Sequence, residues 1–257
     1  MNRKYALVDL EPNLDTTPGT AHGSSDILFD WTPIQIPTGA CSIKTIHAIV
    51  MGTDGAAGNT HDMLLYFARS IDGVAPTTFG TENAITAKAT TIAFRKNLLG
   101  FVHLDLSARD DTDFLRAYST VGDRTASGSD NVAHSGEMYN ITLQGDPAYP
   151  STKGFQTIFV AGYGAGAFNF GTAVLLNQGS NQAASTAAVQ ITTDGTDPRI
   201  CFSAGDKLIG STGGPTMEVV STDGATTMTV KSISEQIDDD EELVHRNPLL
   251  FRIGLEY

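Results

Sequence analysis

Phe251-Arg252-Ile253-Gly254-Leu255-Glu256-Tyr257 closes the chain, and it alternates. Phe251, Ile253, Leu255 and Tyr257 fall on one side of an extended strand, while Arg252, Gly254 and Glu256 fall on the other. A period of two marks a half-buried strand, because successive side chains point to opposite faces of a sheet. The same pattern recurs upstream. Tyr139, Ile141 and Leu143 alternate with Met138, Asn140, Thr142 and Gln144. Val102, Leu104 and Leu106 alternate with His103, Asp105 and Ser107, and Ile27, Phe29 and Trp31 with Asp26, Leu28 and Asp30. Ile43–Met51, Met63–Phe67 and Thr157–Val160 add less regular strands.

Helical signals are few and short. Asp111 to Ala117, with Phe114, Leu115 and Tyr118 as packing residues, predicts one or two turns, and Asp238 to Val244 predicts one turn before Asn247-Pro248. Asp-Gly pairs stand at 54–55, 72–73, 194–195 and 223–224. They supply the positive φ angles of tight hairpins. Asp223-Gly224 lies between Met217–Val220 and Thr227–Ile233, both rich in β-branched residues, and predicts a hairpin there.

These elements predict an all-β fold, a jelly-roll-like sandwich with a small barrel-like β subdomain inserted before the last strand. The main domain is expected over 1–185 together with a returning strand at 248–257, and the subdomain over 186–247. Gln178 to Ala188 is polar and small in composition, as a linker would be. The last strand is expected to pair near Tyr5–Leu10.

The composition narrows the function. With 40 % hydrophobic and 18 % charged residues in 257, the chain can build a core. Its net charge of −13 argues against reading nucleic acid or an anionic membrane, both of which need a basic surface. Tyr5 to Leu10 is too short for the core of a signal peptide, and no stretch reaches the ~20 apolar residues of a membrane helix. Synthesis in the cytoplasm is expected. Cys41 and Cys201 are too few and too far apart for a disulfide framework or a zinc site.

No catalytic, cofactor or metal constellation is legible, so the chain is read as a non-enzyme. A Gly-x-Ser-x-Gly elbow is missing, and His134-Ser135 is a neighbouring pair in a polar loop. The histidines at 22, 47, 61, 103, 134 and 245 form neither His-x-His nor His-Glu-x-x-His. His47 and His103 lie in strands and are expected to be hydrogen-bonded there. Asp238 to Glu242, and Asp110, Asp111 and Asp113, lack the spacing of a calcium loop. Gly162 to Gly171 is glycine-rich without the Lys-Ser/Thr end of a phosphate loop. Tyr163, Phe168 and Phe170 ride on this stretch. They are the candidate interaction residues: rings on a mobile loop that insert into a partner, or else pack on their own sheet. Glu11 to Ser25 reads as an extended arm.

In manner, the chain resembles the virion structural proteins of tailed bacteriophages. The resemblance rests on Met1-Asn2-Arg3-Lys4, on Phe67-Ala68-Arg69-Ser70-Ile71-Asp72-Gly73-Val74-Ala75-Pro76, and on Gly205-Asp206-Lys207-Leu208-Ile209 with Thr222-Asp223-Gly224 and the closing Leu249-Leu250-Phe251-Arg252-Ile253. It implies a capsid cement or decoration protein in the virion, bridging major capsid or other virion proteins as a homo-oligomer, with a trimer favoured. The alternative is a tail, collar or baseplate component that binds a receptor or glycan. Glycan binding would need exposed aromatic platforms, and the strand position of Trp31 favours the core. An enzyme acting on carbohydrate would need two carboxylates facing across a cleft.

Overall fold

The computed structural model describes residues 3–14, 21–51, 62–84, 95–104, 109–111, 115–119, 141–149, 154–168, 170, 174–176, 181–194, 197–210 and 214–257. The alternating segments form two antiparallel sheets packed face to face. One has the spatial order β1 (Tyr5–Leu10), β16 (Leu249–Glu256), β3 (Cys41–Met51), β7 (Leu115–Ser119) and β6 (Arg109–Asp111), with β8 (Thr142–Leu143) on the start of β3. The other runs β2 (Ile27–Pro37), β9 (Phe155–Gly164), β4 (Met63–Ala68) and β5 (Leu98–Leu104). Set aside the short β6 and β8 and number the remaining sandwich strands along the chain. The sheets then run first-eighth-third-sixth and second-seventh-fourth-fifth. This is the strand order of a jelly roll.

The sandwich core explains the alternation. Ile43, Ile46, Ala48, Val50, Phe251, Ile253 and Leu255 face inward from the first sheet. Ile34, Ile36, Leu65, Phe67, Val102, Ile158 and Val160 meet them from the second. β16 lies between β1 and β3, paired from Tyr5↔Glu256 to Leu10↔Phe251 on one side and from Leu249↔Val50 onward on the other. Leu14, in the stretch read as an arm, is fully buried in this core, and its N–H donates to the Arg246 carbonyl at 2.6 Å.

β2 breaks its period. Register shifts between Ile27 and Phe29 and between Phe29 and Thr32 turn Ile27 and Trp31 to the outside while Leu28 and Phe29 enter the core. A bulge adds a residue and so swaps the faces of the residues beyond it.

The connection from β9 to β16 is occupied by a closed barrel. Its strands are β10 (Val174–Leu176), β11 (Val189–Asp194), β14 (Thr227–Ile233), β13 (Thr216–Gly224), β12 (Lys207–Gly210) and β15 (Glu242–His245), with β15 pairing back to β10. Ile191, Phe202, Leu208, Val219, Met228, Val230, Ile237 and Leu243 fill it. The unit thus begins upstream of the expected boundary at 186, because β10 pairs with β11 and β15. The predicted linker is hydrogen-bonded to the barrel: Gln182 bridges Ile237 and Ser185 bridges Ile233.

Both helical expectations are overturned. Residues 109–111 and 115–119 are strands, with Leu115–Ser119 laid along Met51–His47, and Glu242–His245 is a barrel strand. Tertiary pairing outweighs a weak local preference. The helix found among the described residues, α1 (Pro198–Cys201), is one turn, capped by the Asp197 carboxylate, which accepts the Arg199 N–H at 2.9 Å.

The Asp-Gly pairs divide. At Asp72-Gly73 both residues have positive φ, 54° and 78°, and Ile71 and Val74 exchange hydrogen bonds across them. The β13–β14 hairpin forms, but Asp223 and Gly224 still belong to β13 and the turn is Ala225-Thr226. The Asp223 carboxylate instead accepts the Ser221 and Thr229 hydroxyls, each at 2.6 Å. These bonds hold its pKa below the usual carboxylate range. Among the described residues, no helix is long and apolar enough to cross a membrane.

Candidate interaction surface

β4 reads Met-Leu-Leu-Tyr-Phe-Ala, apolar on both faces. Met63, Leu65 and Phe67 fill the core, so Leu64 and Tyr66 point outward. The outer side of the second sheet is accordingly not a simple wet surface. Tyr66 lies directly opposite Phe101 of β5, and their rings stack at 5.7 Å with planes 27° apart. On the other side Tyr163 of β9 stacks on Tyr66 at 5.8 Å and 26°. Phe79 closes a third side, its centroid 5.3 Å from that of Tyr66 and equally 5.3 Å from that of Trp31. Aromatic pairs at these spacings are worth about 0.5–1.5 kcal/mol each beyond the area they bury.

Phe79 comes from a connecting segment, and the Asp30 carboxylate seats it. Asp30 accepts the Phe79 N–H at 2.6 Å, the Thr78 hydroxyl at 2.6 Å and the Trp31 N–H at 2.7 Å. The Trp31 indole N–H donates to the Thr77 carbonyl at 2.8 Å, which fixes the ring over the segment. Trp31 is therefore a half-buried member of the outer face and not a core residue. Burial pushes the Tyr66 phenol up to about 12, and its hydrogen bond to Tyr163 adds to the rise.

The row is open at one end. Phe101 sits on β5, an edge strand among the described residues, and is 53 % exposed. Next along β5, His103 Nε2 lies 2.9 Å from the Asp62 carboxylate. The expected hydrogen-bonded histidine is thus present, and it sets a polar pair beside the rings. An apolar ring face flanked by a donor and an acceptor suits docking to another surface. Among the described residues no group of three His, Cys, Asp or Glu could hold a metal ion.

The sequence-predicted interaction residues separate. Tyr163 joins this face. Phe168 and Phe170 do not: both are buried in the sandwich core, with His22 edge-on to Phe170 at 5.5 Å. Partner insertion by these two is replaced by packing on their own sheets. The glycines around them make room for rings rather than for motion. A Cβ on Gly162 would lie 2.5 Å from Phe29 Cε1, and one on Gly164 would lie 2.7 Å from Phe168 Cδ2. His61, His134-Ser135 and Asp113 fall outside the described residues, as do the side chains of Asp110 and Asp111. Cys41 and Cys201 are not bridged to each other, the first being buried and the second half-buried.

Sequence reasoning missed Tyr66, Phe79 and Phe101. The available signal was β4 itself, since a strand apolar on both faces requires cover on both. The chain matches no protein-family model, and none of the curated proteins matches it.

Proposed function

We propose that this chain is a non-enzymatic structural protein of a virion, of the capsid cement or decoration type. It would be made in the host cytoplasm, assemble as a homo-oligomer and bridge major capsid or other virion proteins through surface contact. The observation that carries the reading is Phe101, half-exposed at the open end of a stacked row whose other members are already locked in place. A rigid aromatic anchor on a sheet face contributes contact area at little cost in side-chain entropy. The jelly-roll topology adds support, since that architecture recurs in viral capsid and lectin domains, although fold alone does not specify function.

The test is quantitative mass spectrometry of purified particles. Hundreds of copies per particle support a capsid role, a few dozen or fewer point to the tail, and absence from particles overturns the proposal. Phe101→Asp should lower particle occupancy at least about tenfold, as expected for losing an anchor worth ~1.4 kcal/mol or more.

The His103–Asp62 pair favours a second reading, a tail or baseplate component that binds glycan. A sugar ring could stack on Phe101 and hydrogen-bond to that pair. Binding to a glycan panel, lost in both Phe101→Ala and His103→Ala, would favour this reading over the first.

A further inference from the structure

Among the described residues, the first sheet ends in an unpaired edge at β1. Lys4 and Tyr257 exchange backbone hydrogen bonds at 3.1 and 3.0 Å, so the alternation directs Lys4, Ala6, Val8 and Leu10 toward β16. The N–H and C=O groups of Tyr5, Leu7 and Asp9 therefore point to the open side. β1 carries neither proline nor a register shift, the devices that usually blunt an edge. Tyr5 and Leu7 are 68 % and 65 % exposed on the outer face, side by side with Arg3 and Asp9.

We infer that β1 is a seam at which a second copy of this chain adds its own β1, antiparallel, extending the sheet across a two-fold axis. The face pattern Arg3, Tyr5, Leu7, Asp9 is complementary to itself when reversed. With Ala6 opposite Ala6 of the second copy, Tyr5 lies opposite its Leu7 and Arg3 opposite its Asp9. Each cross-strand pair is favourable, either aromatic on aliphatic or opposite in charge. The parity also holds, because this register pairs odd residues with odd ones, and the odd residues own the outward backbone groups.

The existing ion pairs extend across the seam. Arg3 contacts Glu256 at 2.9 Å, and Asp9 contacts Arg252 at 3.4 Å. In the pair of chains, charges would alternate from Glu256 to Arg3, then to Asp9 and Arg252 of the second copy. The seam lies on the opposite sheet from Phe101, so the Phe101 variants and particle occupancy test the virion reading separately from it.

Sedimentation of the full chain across a concentration series tests it, with circular dichroism as the check on folding. A dimer is expected, and Leu7→Lys should weaken it at least about tenfold while leaving the fold intact, since the side chain is largely in solvent. Ala6→Cys tests the register, because cysteines directly opposite one another on paired strands can bridge. It should give an oxidant-dependent covalent dimer that the unmodified chain, with only Cys41 and Cys201, does not give. A monomer at all concentrations, a larger oligomer insensitive to Leu7→Lys, or a folded Ala6→Cys chain that fails to cross-link would overturn the inference.

Discussion

Phe29 and Phe251 meet across the sandwich, one from each sheet, with ring centroids 5.6 Å apart. Phe251 stands on β16, the strand that joins β1 to β3, so its ring ties three strands of one sheet to the face of the other. Phe251→Ala should cost about 3–5 kcal/mol, the usual range for deleting a buried aromatic ring. Urea unfolding would read this as a lower midpoint.

Gly162 faces Phe29 from the other side, within the space a methyl group would need. Gly162→Val should destabilise the chain by about 1–3 kcal/mol through overpacking. A Phe29→Leu change in the same chain should recover part of that loss. Thermal unfolding of the two variants distinguishes a steric cause from a backbone one.

Trp31 is the single tryptophan, so its fluorescence reports the aromatic face alone. Asp30→Ala removes the acceptor for the Phe79 and Trp31 amides and for the Thr78 hydroxyl. Emission should shift to the red as the segment carrying Phe79 lifts from the sheet. The stability cost should be about 1–3 kcal/mol.

His245 is buried in the barrel against Phe202, its Nε2–H donating to the Cys201 carbonyl at 3.0 Å. Desolvation lowers its pKa from 6.5, and the nearby Asp206 carboxylate and the Cys201 carbonyl oppose that shift. With the folded value below the unfolded one, the unfolded chain binds the extra proton. Barrel stability should be full above about pH 6.5 and fall as the pH drops below it. Hydrogen exchange of β12 and β15 at pH 7.5 and 5.5 should show the loss. His245→Leu should flatten the dependence.

Much of the sandwich could be read from period-two patterns. β16 alternates cleanly because it has one dry and one wet face, whereas β3 changes parity at a bulge between Ile43 and Thr45, and the pairing of β16 with Tyr5–Leu10 is in the structure as expected. Patterns failed where long-range pairing decides. Leu115–Ser119 carries a mild helical signal, yet it lies along β3. β10 is three residues long, too short to show any period, so the start of the barrel was not visible. The bulges of β2 are a backbone property, and without them Trp31 counts as core. The aromatic face was illegible for a related reason. Its members come from β2, β4, β5, β9 and the segment carrying Phe79, and only the topology brings them together.

The central position of β16 also sets a timetable for folding. β1 and β3 remain strangers until Leu249–Glu256 slides between them. The barrel, whose strands among the described residues all fall between Val174 and His245, depends on partners nearer in sequence. The smaller unit's pairings are short in sequence while the larger one's join the first and last strands, so refolding should finish the barrel first and leave the larger unit gaping, and that interval is when chaperones would be most needed.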